Sequence, residues 1–365
     1  MSDAAPFYIG SEIYRQPAFG SNHPLNIVRH AAVVDLLRML GWLDDSQFRE
    51  SRPATVDQLL EFHSRAYVRA LQYANATGKV DPEVRERYQV GTLENPLFPG
   101  LFERASMTVG GSILSAELAT RGHVVFHPSG GTHHGRADRA SGFCYFNDPV
   151  FAILTLLREG RERIVYIDFD AHHGDGVEDA FLEEDRVVTL SIHEAERWPY
   201  SGTHSRPGQG AWNLAVPQGI NDSEFELLVD EFVMPLVESS EADALVLCCG
   251  ADCLAGDPLS KMELSNVVLW DAVERLMGTG LPTVILGGGG YNPWTVTRYW
   301  AGMWGRIGGR EFPGRLPDEA IDYLSAMDCD LIDEDEVQDA WLTTLADSPN
   351  RGPVRDAIRS LLDAT

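Results

Sequence analysis

Five apolar, β-branched runs recur along the chain, each ending in glycine or polar residues: HVVFHPSGG (123–131), RIVYIDFDAHHGDG (163–176), RVVTLSIHE (186–194), DALVLCCGAD (243–252) and PTVILGGGGY (282–291). Nearly continuous apolar runs of this kind belong to strands buried on both faces. Between them, DPVFAILTLLREG (148–160), SEFELLVDEFVMPLVESS (223–240) and SNVVLWDAVERLMGTG (265–280) carry the spacing of amphipathic helices. Strands alternating with helices predict an α/β fold, a mostly parallel central β-sheet with helices on both faces. The first hundred residues read as helices joined by loops, through HPLNIVRHAAVVDLLRMLGWL and TVDQLLEFHSRAYVRALQYA. No repeat, low-complexity tract or linker divides residues 1–365, so a single domain is expected. Open parallel sheets bind ligands beyond the carboxyl ends of their strands. The unusual residues of all five runs lie at that end.

Composition narrows the class. Hydrophobic residues make up 44% and charged residues 23% of the chain, enough for a packed core and too apolar for disorder. No window approaches the ~18 apolar residues of a membrane span, and MSDAAPFYIG lacks the basic and apolar regions of a secretory signal. Cys248, Cys249 and Cys253 lack metal-finger spacing and read as buried thiols, which together with the other two cysteines suits a reducing cytoplasm. A formal charge of −26 argues against nucleic acid, which needs a basic footprint. The late acidic stretch from Asp328 to Glu336 reads as solvated surface.

The strand ends carry the chemistry. In YIDFDAHHGDG, Asp168, Asp170 and His172 alternate, and all three face one side if the strand continues that far. Asp170 and His172, with Asp252 from CCGADCLAGDP, form an Asp–His–Asp set that leaves a fourth position open, the pattern of a catalytic zinc site. Iron(II), cobalt(II) or manganese(II) would also suit these donors. GGTHHGRAD presents His133 and His134 from a glycine-rich turn, where an imidazole suits proton transfer to and from a reacting amide. Asp168 and Asp175 are available to fix their tautomers, one for each histidine. LGGGGYNPW ends a strand with Tyr291, placed to donate its hydroxyl to a developing oxyanion; the spacing fits no phosphate loop. The paired glycines of TVGGSILSAEL read as a close helix contact.

Together GGTHHGRADRASGFCYFND, YIDFDAHHGDGVEDAF, GADCLAGDP and GGGGYNP resemble the zinc-dependent histone deacetylase superfamily, in particular its bacterial acetoin-utilisation and deacetylase-like branch, from about His23 to about Trp304. The resemblance implies a single-domain arginase/deacetylase-like fold and one Zn2+ per chain on Asp170, His172 and Asp252, with Fe2+ or Co2+ as substitutes. It implies His134 as general base and acid with Asp175 behind it, His133 as electrostatic partner with Asp168 behind it, and Tyr291 polarising the acyl carbonyl. It places Gly142 and Phe143 in an acyl-lysine tunnel wall, Leu259 along it and Arg29 near its floor. Tyr200 is favoured over Trp198 for the opposing wall, and Glu94 falls where many relatives carry a rim Asp. It implies an inner potassium site from Asp168, Asp170, His172, Ser191 and Ile192, and an outer one at Phe181, Val187 and Trp212.

The expected function is therefore hydrolysis of the amide of N-epsilon-acetyl-lysine by a zinc-dependent protein lysine deacetylase. Acetylated proteins or peptides are the expected partners, such as an acetylated acyl-CoA synthetase, with no nucleic acid and no membrane. An acetylpolyamine amidohydrolase would use the same chemistry, but Leu259 stands where an acidic gatekeeper would pair with a cationic amine. A ureohydrolase needs a richer Asp/His set for two metals. A non-catalytic acyl-lysine binder would have no need of both histidines, all three ligands and Tyr291.

Overall fold

Among the described residues, eight parallel strands form one sheet in the order β2-β1-β3-β8-β7-β4-β5-β6. The computed structural model describes residues 5–364; residues 1–4, at the start of MSDAAPFYIG, and residue 365 lie outside the described residues. The five apolar runs supply β3 (Val125–His127), β4 (Ile164–Phe169), β5 (Val187–Glu194), β7 (Ala244–Cys249) and β8 (Thr283–Leu286). Three further strands did not stand out in the sequence: β1 (Phe7–Gly10), β2 (Phe48–Glu50) and β6 (Ala211–Val216). The first hundred residues are thus not purely helical. β2 and β6 are the edge strands; β2 is only three residues long and β6 (AWNLAV) is interrupted by Asn213 and half-buried at Trp212 and Ala215, so neither shows a continuous apolar run.

Alternation along the central strands divides the core. Tyr166, Val246 and Val284 face one cluster, while Ile167, Leu247 and Ile285 face the other. The expected helical patterns appear as Asp148–Arg158 and Asn266–Met277, and as a helix from Asp222 to Ser239 with a π turn at Val229–Val233. The helix Pro293–Ile307 lies against the sheet, with Trp300 and Trp304 fully buried. All five cysteines are buried and free. The acids from Asp328 to Glu336 are exposed. No helix among the described residues is long and apolar enough to cross a membrane.

The paired glycines lie in the helix Leu101–Ala119 and bring it close to its neighbours. A Cβ at Gly110 would overlap the Arg52 carbonyl, and one at Gly111 would overlap the His127 ring. Gly110→Ala is therefore expected to destabilise the fold by about 1–3 kcal/mol, the scale of overpacking a tight contact. Thermal unfolding checks this; an unchanged melting temperature would refute the close-contact reading.

Candidate active site

Strand β4 ends at Phe169, beside the end of β7, with Phe169 opposite Cys249. From β4 the chain moves outward to β5 and β6, then returns on the other side as β7 and β8. This reversal opens a crevice between β4 and β7 at their carboxyl ends. Asp168 is the last site residue within the strand. Asp170 and His172 follow in the turn, so strand alternation does not aim them. Hydrogen bonds do: the Asp170 carboxylate accepts the N–H groups of His172 (2.9 Å) and Gly289 (2.7 Å), and Asp252 accepts that of Ala171 (3.0 Å).

The ligand atoms of Asp170, His172 and Asp252 all lie within 4.8 Å of one another. His172 Nδ1 sits 2.9 Å from Asp252 Oδ2 and 3.3 Å from Asp170 Oδ1. Both carboxylates are completely buried. Burial and the charge of Asp170 raise the pKa of Asp252. Although burial opposes it, hydrogen bonds to the two carboxylates raise His172 to about 10. Two buried carboxylates around one imidazole nitrogen favour positive charge between them. The donor set therefore fits a divalent metal ion, which would neutralise both carboxylates. A Cβ at Gly289 would overlap Asp252, and one at Gly250 would overlap Asp170, so glycine is required for backbone to enclose the carboxylates this closely. His133, Asp170 and Cys248 also lie within ligand distance of one another. There, however, the Cys248 thiol donates to the Gly287 carbonyl at 3.2 Å and burial raises its pKa far up, which keeps it protonated.

Two histidine–aspartate pairs flank the triad. His133 Nδ1 donates to Asp168 Oδ2 at 2.7 Å, and His134 Nδ1 donates to Asp175 Oδ1 at 2.7 Å. Both rings thereby leave Nε2 free of these partners, and His133 Nε2 lies 3.8 Å from Asp170 Oδ1. Tyr166 also donates to Asp168 Oδ2, at 2.6 Å, and Arg136 pairs with the second oxygen of Asp175. Burial would lower the His133 pKa, but Asp168 and Asp170 outweigh it and lift it to about 9. Burial and the charge of His133 push His134 down to about 3, against the pull of Asp175. A metal ion's positive charge would act downward on both. The two imidazoles are thus electrostatically unlike, and His134 is the one held neutral.

Tyr291 faces the same centre, its ring 6.4 Å from that of His172 and 6.0 Å from that of Phe143. An outer cleft of about 380 Å³, lined by Glu94, Phe143, Trp198, Leu259 and Tyr291 among others, leads to His134 and His172. Tyr200 also lines this cleft but is 72% exposed, at its mouth. The ring packed on His134 is that of Trp198, with centroids 4.6 Å apart, and a Cβ at Gly142 would overlap it. Trp198 therefore forms the inner part of the opposing wall. Glu94 accepts the Gly142 N–H at 2.7 Å, tying the rim to the wall. Arg29 Nη1 donates to the carbonyls of Gly288 and Gly290, both at 3.1 Å, beneath Tyr291.

Some positioning residues escaped the sequence reading. Asp257 accepts the N–H groups of Tyr291 (2.7 Å) and Leu259 (2.9 Å), so one buried carboxylate aligns two walls. Burial and the charge of Asp252 raise its pKa to about 7. Glu194 holds Arg197 through two oxygens, and Arg197 donates to the Leu259 carbonyl at 2.8 Å. The sequence signal was an acidic residue closing β5 and another in the segment that follows β7. Ser191 and Ile192 lie on β5 directly beside Asp168 and Phe169. Phe181 and Val187 share one apolar cluster, whereas Trp212 packs on Phe232 in the other.

The model of the histone deacetylase domain matches residues 23–307. The acetoin utilization protein AcuC of Bacillus subtilis (strain 168) is 33% identical over 330 residues, covering 86% of this chain and 85% of that protein. Probable histone deacetylase 19 of Zea mays is 34% identical over 84% of this chain, but the chain spans only 61% of that relative's length. The crystal structure of an HDAC homolog from Aquifex aeolicus superposes with a TM-score of 0.94 at 35% identity, covering 99% of both chains. An HDAC homolog complexed with SAHA gives a TM-score of 0.93 at 34% identity. On the domain match, the shared sequence and the shared fold, this chain belongs to the histone deacetylase family.

Proposed function

We propose that the chain is a zinc-dependent deacetylase that hydrolyses the amide of N-epsilon-acetyl-lysine in proteins or peptides and releases acetate. The observation that carries this reading is the convergence of Asp170, His172 and Asp252 with two His–Asp pairs and Tyr291 at the base of one cleft. Zinc held by those three residues would polarise the acyl carbonyl and acidify a water; iron(II) or cobalt(II) fits the same donors. His134, neutral and with Nδ1 anchored on Asp175, accepts the water's proton at Nε2 and returns it to the departing lysine nitrogen. His133, charged and held by Asp168, supports the negative charge that develops on the carbonyl oxygen. Tyr291, kept protonated by burial, donates its hydroxyl to that oxygen. Phe143, Trp198 and Leu259 enclose the apolar lysine stem and limit water.

Asp168 Oδ1 is buried and has no hydrogen-bond partner among the described residues, which supports an inner potassium ion shared with Asp170, His172, Ser191 and Ile192. The outer site at Phe181, Val187 and Trp212 rests on resemblance alone. Leu259 at the cleft favours a protein lysine over an acetylpolyamine, whose second amine would seek an acidic partner there. Likeness to an acetoin utilization protein supports a metabolic substrate in the cytoplasm, such as an acetylated acyl-CoA synthetase.

Acetate release from an acetyl-lysine peptide by zinc-loaded protein tests the reading. Tyr291→Phe is expected to lower kcat about 10²–10³-fold, the scale of one lost oxyanion donor. A variant as active as the parent would remove Tyr291 from the mechanism.

A further inference from the structure

Behind the reaction centre lies a second cavity of about 420 Å³, which reaches Asp170, His172 and Tyr291 at one end and Tyr14, Arg15 and Arg104 at the other. It is far larger than an acetyl group, which displaces roughly two waters at ~30 Å³ each. Its charge is as notable as its size. Arg15 is paired with Asp35 and Glu12. Arg29 and Arg104 have no carboxylate within ion-pair distance among the described residues. Arg29 uses only Nη1, on two carbonyls, and Arg104 uses only Nη1, on the carbonyls of Ile13 and Gln16. Burial lowers the pKa of both, and the charge of Arg29 adds to the lowering at Arg104, which falls to about 10. Both remain charged at neutral pH. Both side chains are half-buried and lie over aromatic rings, Arg29 over Trp300 at 5.3 Å and Arg104 over Tyr14 at 5.1 Å, and a guanidinium pairs preferentially with a carboxylate through two parallel hydrogen bonds.

We infer that this cavity is an acyl pocket for acidic acyl groups, so that the enzyme also removes short dicarboxylic acyl groups, succinyl or glutaryl, from lysine. The inference rests on the deacylase reading above and extends it from acetyl to a second substrate class. With the scissile carbonyl at the reaction centre, the acyl chain enters the inner cavity and its distal carboxylate meets Arg29 and Arg104. The reaction is the same hydrolysis. Water oxygen bonds to the acyl carbon, the C–N bond breaks, the lysine nitrogen takes the proton, and a dicarboxylate leaves. Arg104 is the selectivity residue, since it lies at the far end of the cavity; Arg29 also supports the glycines next to Tyr291.

The test compares kcat/KM for peptides carrying acetyl-, butyryl-, succinyl- and glutaryl-lysine on the zinc-loaded protein. Succinyl is expected to exceed its neutral counterpart butyryl by about tenfold or more, the scale of one charge-assisted hydrogen bond. Arg104→Met is expected to abolish that preference and leave acetyl turnover within about threefold, which also shows that the variant folds; Arg104→Lys should retain part of it. Calorimetry with the slow Tyr291→Phe variant should show tighter binding of succinyl than butyryl peptide. Acetyl turnover with butyryl preferred over succinyl, or an Arg104→Met variant that loses all substrates equally, would overturn the inference and leave the deacylase reading intact. No turnover of any peptide would overturn both.

Discussion

Asp252→Asn is expected to abolish retention of the metal ion and to bring hydrolysis down to background while the protein stays folded. The substitution is close to isosteric. Asp252 Oδ1 accepts the Ala171 N–H at 3.0 Å, which an amide oxygen can continue to do. The amide nitrogen would then donate to His172 Nδ1, 2.9 Å away in the present geometry. That donation engages the imidazole lone pair that a metal needs and removes one of the two negative charges of the donor set. Polarisation of the carbonyl and activation of water by a metal are together worth several kcal/mol, and each ~1.36 kcal/mol is tenfold in rate. A loss of at least about a thousandfold follows. Metal content after dialysis, kcat/KM and circular dichroism are measured on one sample. A variant that keeps stoichiometric metal and parental activity would show that Asp252 is not a ligand.

The second large effect is expected at His134. Phenylalanine at this position preserves the ring packed against Trp198 at 4.6 Å but removes both nitrogens. The Asp175 carboxylate loses its Nδ1 donor and keeps Arg136. With substrate contacts retained and proton transfer lost, His134→Phe should lower kcat about 10²–10⁴-fold with KM nearly unchanged. Metal content should stay stoichiometric, since the ring is not among the three proposed ligands. A rise in KM at constant kcat would instead make His134 a wall of the cleft.

The sequence by itself determined the parts whose signals are local. Continuous β-branched runs had to become the buried strands β3, β4, β5, β7 and β8, because two-sided burial tolerates no polar alternation. Gly110 and Gly111 announced a close helix contact, and Asp170, His172, His133, His134 and Tyr291 stood out as polar residues placed directly after apolar runs. The edge strands β2 and β6 were not legible: a polar residue inside a short strand, or a length of three residues, leaves no run to see.

Only the tertiary structure decided how the strand ends meet. Pairing of β4 with β7 brings Asp252 to Asp170 and His172 across 80 residues of chain, and no local spacing encodes that neighbour. The choice of Trp198 over Tyr200 for the inner wall arises the same way. The loop is set by Glu194 holding Arg197, and Arg197 holding the Leu259 carbonyl, so side-chain hydrogen bonds between distant segments override any periodicity. Asp257 aligning Leu259 with Tyr291, and Arg29 and Arg104 lining the inner cavity without a carboxylate partner among the described residues, are of the same kind. Chemistry-bearing residue types are visible one at a time in a sequence, whereas partners and cavities are properties of pairs that the folded chain brings together.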